Sequence, residues 1–238
     1  MNVLSIDVGI KNLAHCLLQQ NAAGGVGTIL HWNVVDLTPK LDCSCCKKRA
    51  VLTTEAGVSF CKKHAPQLDD DPAWTLADLR KRCAEKGVTT TGARKTLLNR
   101  LKGKTTKVAT ALQIPDTQLA RALLEAYEPL FAAHKIDRMV IENQMAARLK
   151  PLQGMLILYG TSKGCIVDVV SPSNKLKALN MGNTTYGERK RLSVERTREL
   201  LAEQGVDAAA FNAAKKKDDL ADAFLQGVWF VETKMRTT

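Results

Sequence analysis

No stretch of the chain approaches the ~18 consecutive apolar residues that a membrane-spanning helix requires, so the sequence predicts a soluble protein with no membrane partner. The N-terminus lacks the pattern of a cleaved secretion signal or an Arg-rich, acid-poor transit peptide. Val3-Leu4-Ser5-Ile6-Asp7-Val8 already reads as a strand, and the fold is expected to begin at Met1. Aromatics are scarce, 5% of residues, and no basic stretch carries them on an apolar face, which argues against a lipid surface. The seven cysteines form no secreted disulfide framework: their number is odd, and four of them crowd between positions 43 and 61. Cys16, Cys83 and Cys165 sit in apolar contexts, so reduced thiols plus one metal cluster are expected. Acidic charge is also short, 24 residues against 35 Lys and Arg in 238. The surplus is local: residues 38–104 hold 15 Lys/Arg against 7 Asp/Glu, whereas residues 1–37 are slightly acidic. A basic segment of this kind suits a polyanion, and nucleic acid is the favoured one.

The first 37 residues read as three strands, Val3 to Val8, Asn12 to Leu18 and Gly27 to Val35, most simply an antiparallel meander. The pattern changes at Thr38-Pro39 to a segment rich in Lys, Cys and Gly that includes the linker Asp69-Asp70-Asp71-Pro72. From Asp116 to His134, Leu119, Leu123, Tyr127 and Leu130 recur at helical spacing, with Asp116 or Thr117 as candidate cap. Arg138 to Glu142 and Ile166 to Val170 are compact strands after helix-like segments, which implies parallel pairing through crossovers and an α/β sheet. Helices at about Gly187 to Gln204 and Lys217 to Val231 complete the pattern.

Three of these elements carry acids where a buried element would not tolerate them alone. Asp7 interrupts the first strand, Glu142 ends Met139-Val140-Ile141, and Asp218, Asp219 and Asp222 open the last helix. Asp219 and Asp222 lie three apart and share a face. Taken singly, each has an ordinary reading: first-turn acids on a helix dipole, a solvent-facing strand end, a turn cap beside Gly9. Together, four carboxylates from three elements suit Mg²⁺ or Mn²⁺, and two such ions can bind both sides of a scissile phosphate.

Ser5-Ile6-Asp7-Val8-Gly9-Ile10-Lys11-Asn12-Leu13-Ala14 resembles the opening motif of RuvC-like Holliday junction resolvases, especially the fungal mitochondrial and poxvirus branch. Ile141-Glu142-Asn143-Gln144 resembles the second motif of that family, and Lys217-Asp218-Asp219-Leu220-Ala221-Asp222-Ala223 its last. The resemblance implies an RNase H-like mixed five-stranded sheet flanked by helices. It also implies a homodimer that nicks four-way junctions symmetrically, with two Mg²⁺ or Mn²⁺ per site on Asp7, Glu142, Asp219 and Asp222. Asp218 becomes a supporting neighbour. Ser171-Pro172-Ser173-Asn174-Lys175-Leu176-Lys177 looks like the family's Pro-x-x-Lys loop, leaving Lys175 or Lys177 as the active-site lysine; a flexible basic loop is the plain alternative. Lys11, Gln144, Lys177 and Lys190 are the DNA-contact candidates that go with it.

Within the basic segment, Cys43-x-x-Cys46 followed after fourteen residues by Cys61-x-x-His64 has the spacing of a closed, structural Zn²⁺ site, with Cys45 as a poorer register. Val51 to Phe60 would bridge two knuckles as a small ribbon. Leu76 to Leu101 resembles a SAP motif: a helix with Leu76, Leu79 and Cys83, a Gly-centred turn, and a helix with Leu97, Leu98 and Leu101. Thr91 is a candidate cap of the second helix, and Arg94 and Lys95 candidate phosphate contacts. The expected division is a nuclease domain at 1–37 and 105–238, a zinc-ribbon-like insertion at 38–70 and a SAP-like hairpin at 71–104.

The expected function is Mg²⁺-dependent hydrolysis of branched DNA. Two alternatives stand beside it: an RNase H-like nuclease acting on RNA–DNA hybrids or RNA, and a non-catalytic DNA-binding protein. A reducing intracellular compartment is expected, cytoplasmic or a viral replication site before mitochondrial.

Overall fold

The computed structural model describes residues 1–54, 58–64, 74–102, 105–174 and 185–235. Lys175, Lys177 and the acidic linker 69–72 lie outside them. The chain divides into two compact units, one of Met1–Thr38 with Ala111–Thr238, the other of Pro39–Thr110.

The larger unit is built on β1 (Asn2–Asp7), β2 (Leu13–Gln20), β3 (Val26–Val35), β7 (Arg138–Glu142) and β8 (Ile166–Val170), in the order β3-β2-β1-β7-β8. The first three form the expected antiparallel meander, and β1, β7 and β8 run parallel. Parallel pairing needs crossovers. These are α3 (Asp116–Ala133) before β7 and α4 (Lys150–Ser162) before β8. After β8 come α5 (Tyr186–Glu203), α6 (Ala209–Ala213) and α7 (Lys217–Lys234).

Alternation along the strands assigns the two faces. Ala14, Cys16 and Leu18 of β2 are buried with Ala221, Phe224, Leu225 and Val228, so α7 covers one face. His15 points the other way, stacking on His31 and meeting Tyr127 of α3. Burial, then the neighbouring His31, pulls His15 down to about 3 and keeps it neutral. On that same face α4 approaches so closely that a Cβ at Gly160 would stand 2.3 Å from Met139 Sδ.

α3 starts at Asp116 after Pro115, without a side-chain cap. Asp116, one of two cap candidates, instead sits in the first turn and pairs with Arg148 at 2.7 Å.

The smaller unit joins β4 (Leu52–Thr54), β5 (Ser59–Phe60) and β6 (Thr105–Lys107) in the order β5-β4-β6. Between β5 and β6 lie α1 (Leu76–Glu85) and α2 (Arg94–Lys102). Leu79, Cys83, Leu97 and Leu101 close a core between the two helices, whereas Leu76 is exposed. A Thr75–Asp78 capping box starts α1. Residues 105–107, which the sequence reading assigned to the nuclease part, pair with β4, so the hairpin is nested inside the ribbon.

Candidate active site

The register of β1 and β7 brings the first two acids side by side. Ser5 is opposite Val140 and Ile6 opposite Ile141, so Asp7 and Glu142 follow in step at the C-terminal ends of adjacent strands, ~4.8 Å apart. Both belong to the face under α7, because Ser5, two residues before Asp7, meets that helix. A Cβ at Gly227 would lie 3.0 Å from Ser5 Cβ.

Gln226 supplies the rivet. It is 2% exposed, and its Nε2 donates to Ser5 Oγ at 3.1 Å, to the Ile6 carbonyl at 3.1 Å and to the Val140 carbonyl at 3.2 Å. Further along α7, Trp229, Phe230 and Val231 meet Val3. The helix therefore runs back along β1, and its first turns overhang the Asp7 end. Asp222 is one turn before Gln226, ~6 Å along the axis. Asp7 is two residues past Ser5, ~6.6 Å along the strand. The two carboxylates reach the same level, and Asp219 lies a turn further out.

The electrostatics agree with this crowding. Burial, then repulsion from Asp218 with Asp222 adding to it, raises the Asp219 carboxyl, against the pull of Lys216 and Lys190. Its Oδ2 is buried without a hydrogen-bond donor, with Lys216 Nζ 3.8 Å away. Burial alone would also raise Asp218, but the Lys190 ammonium hydrogen-bonded to it holds that carboxyl low. Lys190, a DNA-contact candidate from sequence, thus lies against the acid cluster. Glu142 is buried, and Gln144 Nε2 donates to its Oε2 at 3.3 Å. Gln144 is in turn held by its backbone N–H, which donates to Gln153 Oε1 at 2.9 Å. An orphaned buried carboxylate oxygen within an oxygen-only donor set fits a hard divalent cation.

Gln226 and Gln153 escaped the sequence reading. Gln226 had a signal: it is the single polar residue in Ala223 to Val231 and lies one turn from Asp222 on the same face. Gln153, inside a helix, had none. Gln226→Leu is expected to cost about 1–3 kcal/mol of stability, as a buried donor is lost from paired carbonyls. It should also weaken divalent-cation binding at the acid cluster. Denaturant midpoints and a Mn²⁺-binding titration would check both; an unchanged titration would reduce Gln226 to a packing residue.

In the smaller unit, Cys43, Cys46, Cys61 and His64 bring their ligand atoms within 4.8 Å of one another. Cys43 Sγ–His64 Nδ1 is 3.5 Å, Cys46 Sγ–Cys61 Sγ 3.7 Å and Cys61 Sγ–His64 Nδ1 3.7 Å. A tetrahedral ion with Zn–S of ~2.3 Å and Zn–N of ~2.0 Å spaces its ligands by roughly 3.5–3.8 Å. Burial opposes ionisation of Cys43, yet the amides of Cys61, Cys45 and Cys46 and the His64 side chain hold its thiol at about 5. Cys45 is exposed and outside the cluster.

The remaining candidates divide. Lys95 is exposed on α2 and Lys11 on the turn after β1. Arg94 turns inward, its guanidinium donating to the Trp74 carbonyl. Ala93, not the proposed Thr91, stands at the cap position of α2, its carbonyl accepting from the amides of Thr96 and Leu97.

A family model described as mitochondrial resolvase Ydc2 / RNA splicing MRS1 matches residues 3–144, and one described as poxvirus A22 protein matches residues 95–234. Uncharacterized protein L451 of Acanthamoeba polyphaga mimivirus is 26% identical, with 100% of this chain and 76% of that protein covered. Among solved structures, fowlpox virus resolvase in complex with substrate Holliday junction DNA superposes with a TM-score of 0.53 at 13% identity, covering 98% of each chain. Thermus thermophilus RuvC gives 0.50 at 11% identity, over 99% of this chain and 98% of its own. At those identities the structures speak for the fold, the mixed RNase H-like sheet flanked by helices. The two family models, each spanning more than half the sequence, establish kinship: the chain belongs to the family of the mitochondrial resolvase Ydc2 and RNA splicing protein MRS1, and to that of the poxvirus A22 protein.

Proposed function

We propose that this protein is a metal-dependent endonuclease that nicks four-way DNA junctions, acting symmetrically as a homodimer. The convergence of Asp7, Glu142 and Asp222, with the orphaned Asp219 Oδ2 one turn out, carries the reading. These four residues would hold two Mg²⁺ or Mn²⁺. When bound, such ions lower the pKa of water and stabilise the departing oxygen of a phosphodiester. The protein's own part is to hold those oxygens in place. Strand register fixes Asp7 beside Glu142, Gln144 orients the Glu142 carboxylate, and Gln226 sets the height of Asp222 and Asp219 above the sheet. Lys190 neutralises Asp218, so the added negative charge does not repel the substrate phosphate. Nicking would leave 5′-phosphate and 3′-hydroxyl ends. In the smaller unit Cys43, Cys46, Cys61 and His64 would hold one structural Zn²⁺.

None of the seven cysteines is in a disulfide, and three of them would be zinc thiolates, which suits a reducing compartment. Among the described residues no helix is long and apolar enough to cross a membrane. Likeness to poxvirus and mimivirus proteins suits a viral replication site, and likeness to the Ydc2 family suits the mitochondrion.

Incubation of the purified protein with a synthetic immobile junction and Mg²⁺, beside duplex and RNA–DNA hybrid, tests the proposal. Paired nicks on opposing strands are expected. Cleavage of the hybrid alone would move the substrate to RNA, and binding without cleavage would leave a DNA-binding protein.

For the SAP-like hairpin, Lys95 is the phosphate contact that its exposure supports. Lys95→Ala is expected to weaken junction binding alike for all sequences and make the salt slope shallower by ~1. Arg94→Ala should instead lower the melting temperature of the hairpin, since it ties α2 to Trp74. Equal effects on both readouts would merge the two roles.

A further inference from the structure

Beside the acid cluster lies a cleft of about 480 Å³ that the chemistry above leaves unused. Lys11, Lys215 and Lys216 line it, with Asn33 on β3 and a floor formed by Trp32 and Phe211. Two of its lining residues adjoin the candidate active site. Lys216 Nζ is 3.8 Å from Asp219 Oδ2, and Lys11 sits four residues after Asp7 on the turn that leaves β1. We infer that this cleft is a track for the phosphodiester backbone of the strand being nicked, gripping it next to the scissile phosphate without reading its bases. The inference rests on the nuclease reading and adds a second contact region to it.

Charge supplies the first part of the argument. Three ammonium groups face one carboxylate, Asp36, whose Oδ1 already accepts from the amide and the hydroxyl of Thr38 at 2.9 and 2.6 Å. Lys11 and Lys215 have no ion pair among the described residues, so an anion entering the cleft meets charge not yet neutralised. Lys216 divides its charge between Asp219 and the cleft, which links the end of the track to the acid cluster.

The floor supplies the second part, by excluding base recognition. Base stacking needs an open aromatic face. Trp32 is already engaged by two rings: Phe211 lies parallel to it at 5.0 Å and 7°, and Phe224 packs against it at 5.3 Å and 37°. Its indole N–H donates to the Leu220 carbonyl at 3.0 Å. Held by these contacts, Trp32 and Phe211 give the cleft an apolar wall, a surface against which a deoxyribose can rest while lysines hold the flanking phosphates. Contacts of that kind position a strand and leave sequence unread.

The test combines charge removal on both partners. Junctions carrying a neutral methylphosphonate at each of the first three phosphates on either side of the scissile one are titrated with the wild type and with K11Q/K215Q, in Ca²⁺ to separate binding from cleavage. Wild-type affinity is expected to fall ~10-fold at one or two adjacent steps on one side only. The double variant should bind the unmodified junction ~10-fold more weakly, with a salt slope shallower by ~1–2, and show no further loss at those same steps. A free deoxynucleoside monophosphate at millimolar concentration should not displace the junction; displacement would assign the cleft to a mononucleotide and overturn the track. So would interference that is identical in wild type and variant, or absent at every step, while nicking in Mg²⁺ is normal. If the wild type neither binds nor nicks the junction, the nuclease reading fails and this inference fails with it.

Discussion

Asp219→Asn is expected to abolish nicking while junction binding persists or tightens. The amide keeps the shape of the carboxylate and removes its charge, so a change in packing cannot be the cause. Asp219 is the residue on which burial and like charge concentrate, its carboxyl raised by desolvation and by Asp218, and its Oδ2 without a donor. Removing that charge relieves repulsion in the metal-free protein, so unfolding resistance should hold or rise slightly. A cation would lose a ligand at the same time. The expected loss in single-turnover rate is at least ~10³-fold, about 4 kcal/mol of barrier. Asp7→Asn and Glu142→Gln should behave alike, with affinity measured in Ca²⁺ by fluorescence anisotropy. Near-normal cleavage by any of the three would remove that residue from the site.

Stripping zinc is expected to unfold the smaller unit selectively. Elemental analysis should find about one Zn²⁺ per chain, and Cys43→Ser or Cys61→Ser should lose it. Strands of three, two and three residues cannot support a sheet unaided. Structural zinc contributes about 10–16 kcal/mol in small isolated domains, far more than those strands can. Because β6 closes the ribbon after the hairpin, metal loss also releases the C-terminal anchor of α2. Junction affinity should therefore fall together with zinc content. At saturating protein the rate of the Mg²⁺-dependent step should change little, since all four carboxylates belong to the other unit. A zinc-free preparation with normal folding and affinity would refute the assignment.

Much of this was legible in the sequence because strong local patterns coincided with chemistry. Asp7 and Glu142 stand out as acids ending apolar strands. Asp219 and Asp222 announce themselves by helical spacing, and the Cys/His cluster by its intervals. Contacts made across the fold left weaker traces. Arg94 looked like a phosphate ligand at a helix start, but the carbonyl of Trp74, twenty residues earlier, claims it. Thr105 to Lys107 carries no mark of its partner, because pairing with Leu52 to Thr54 is decided by the closure of the ribbon over more than fifty residues. The lysine cleft was equally silent: Lys11 and Lys215 meet only after β1 and the approach to α7 come together.

The order of synthesis adds a consequence for α7. It is the last helix described, and it both covers the β1–β3 meander and delivers Asp219 and Asp222 over Asp7. A nascent chain halted before Lys217 keeps an apolar sheet face uncovered, the condition that invites chaperone capture or aggregation. The same chain has two of the four proposed metal ligands, Asp7 and Glu142. Completion of the core and of the proposed acid cluster arrive with a single helix, so an unfinished copy is expected to lack both together.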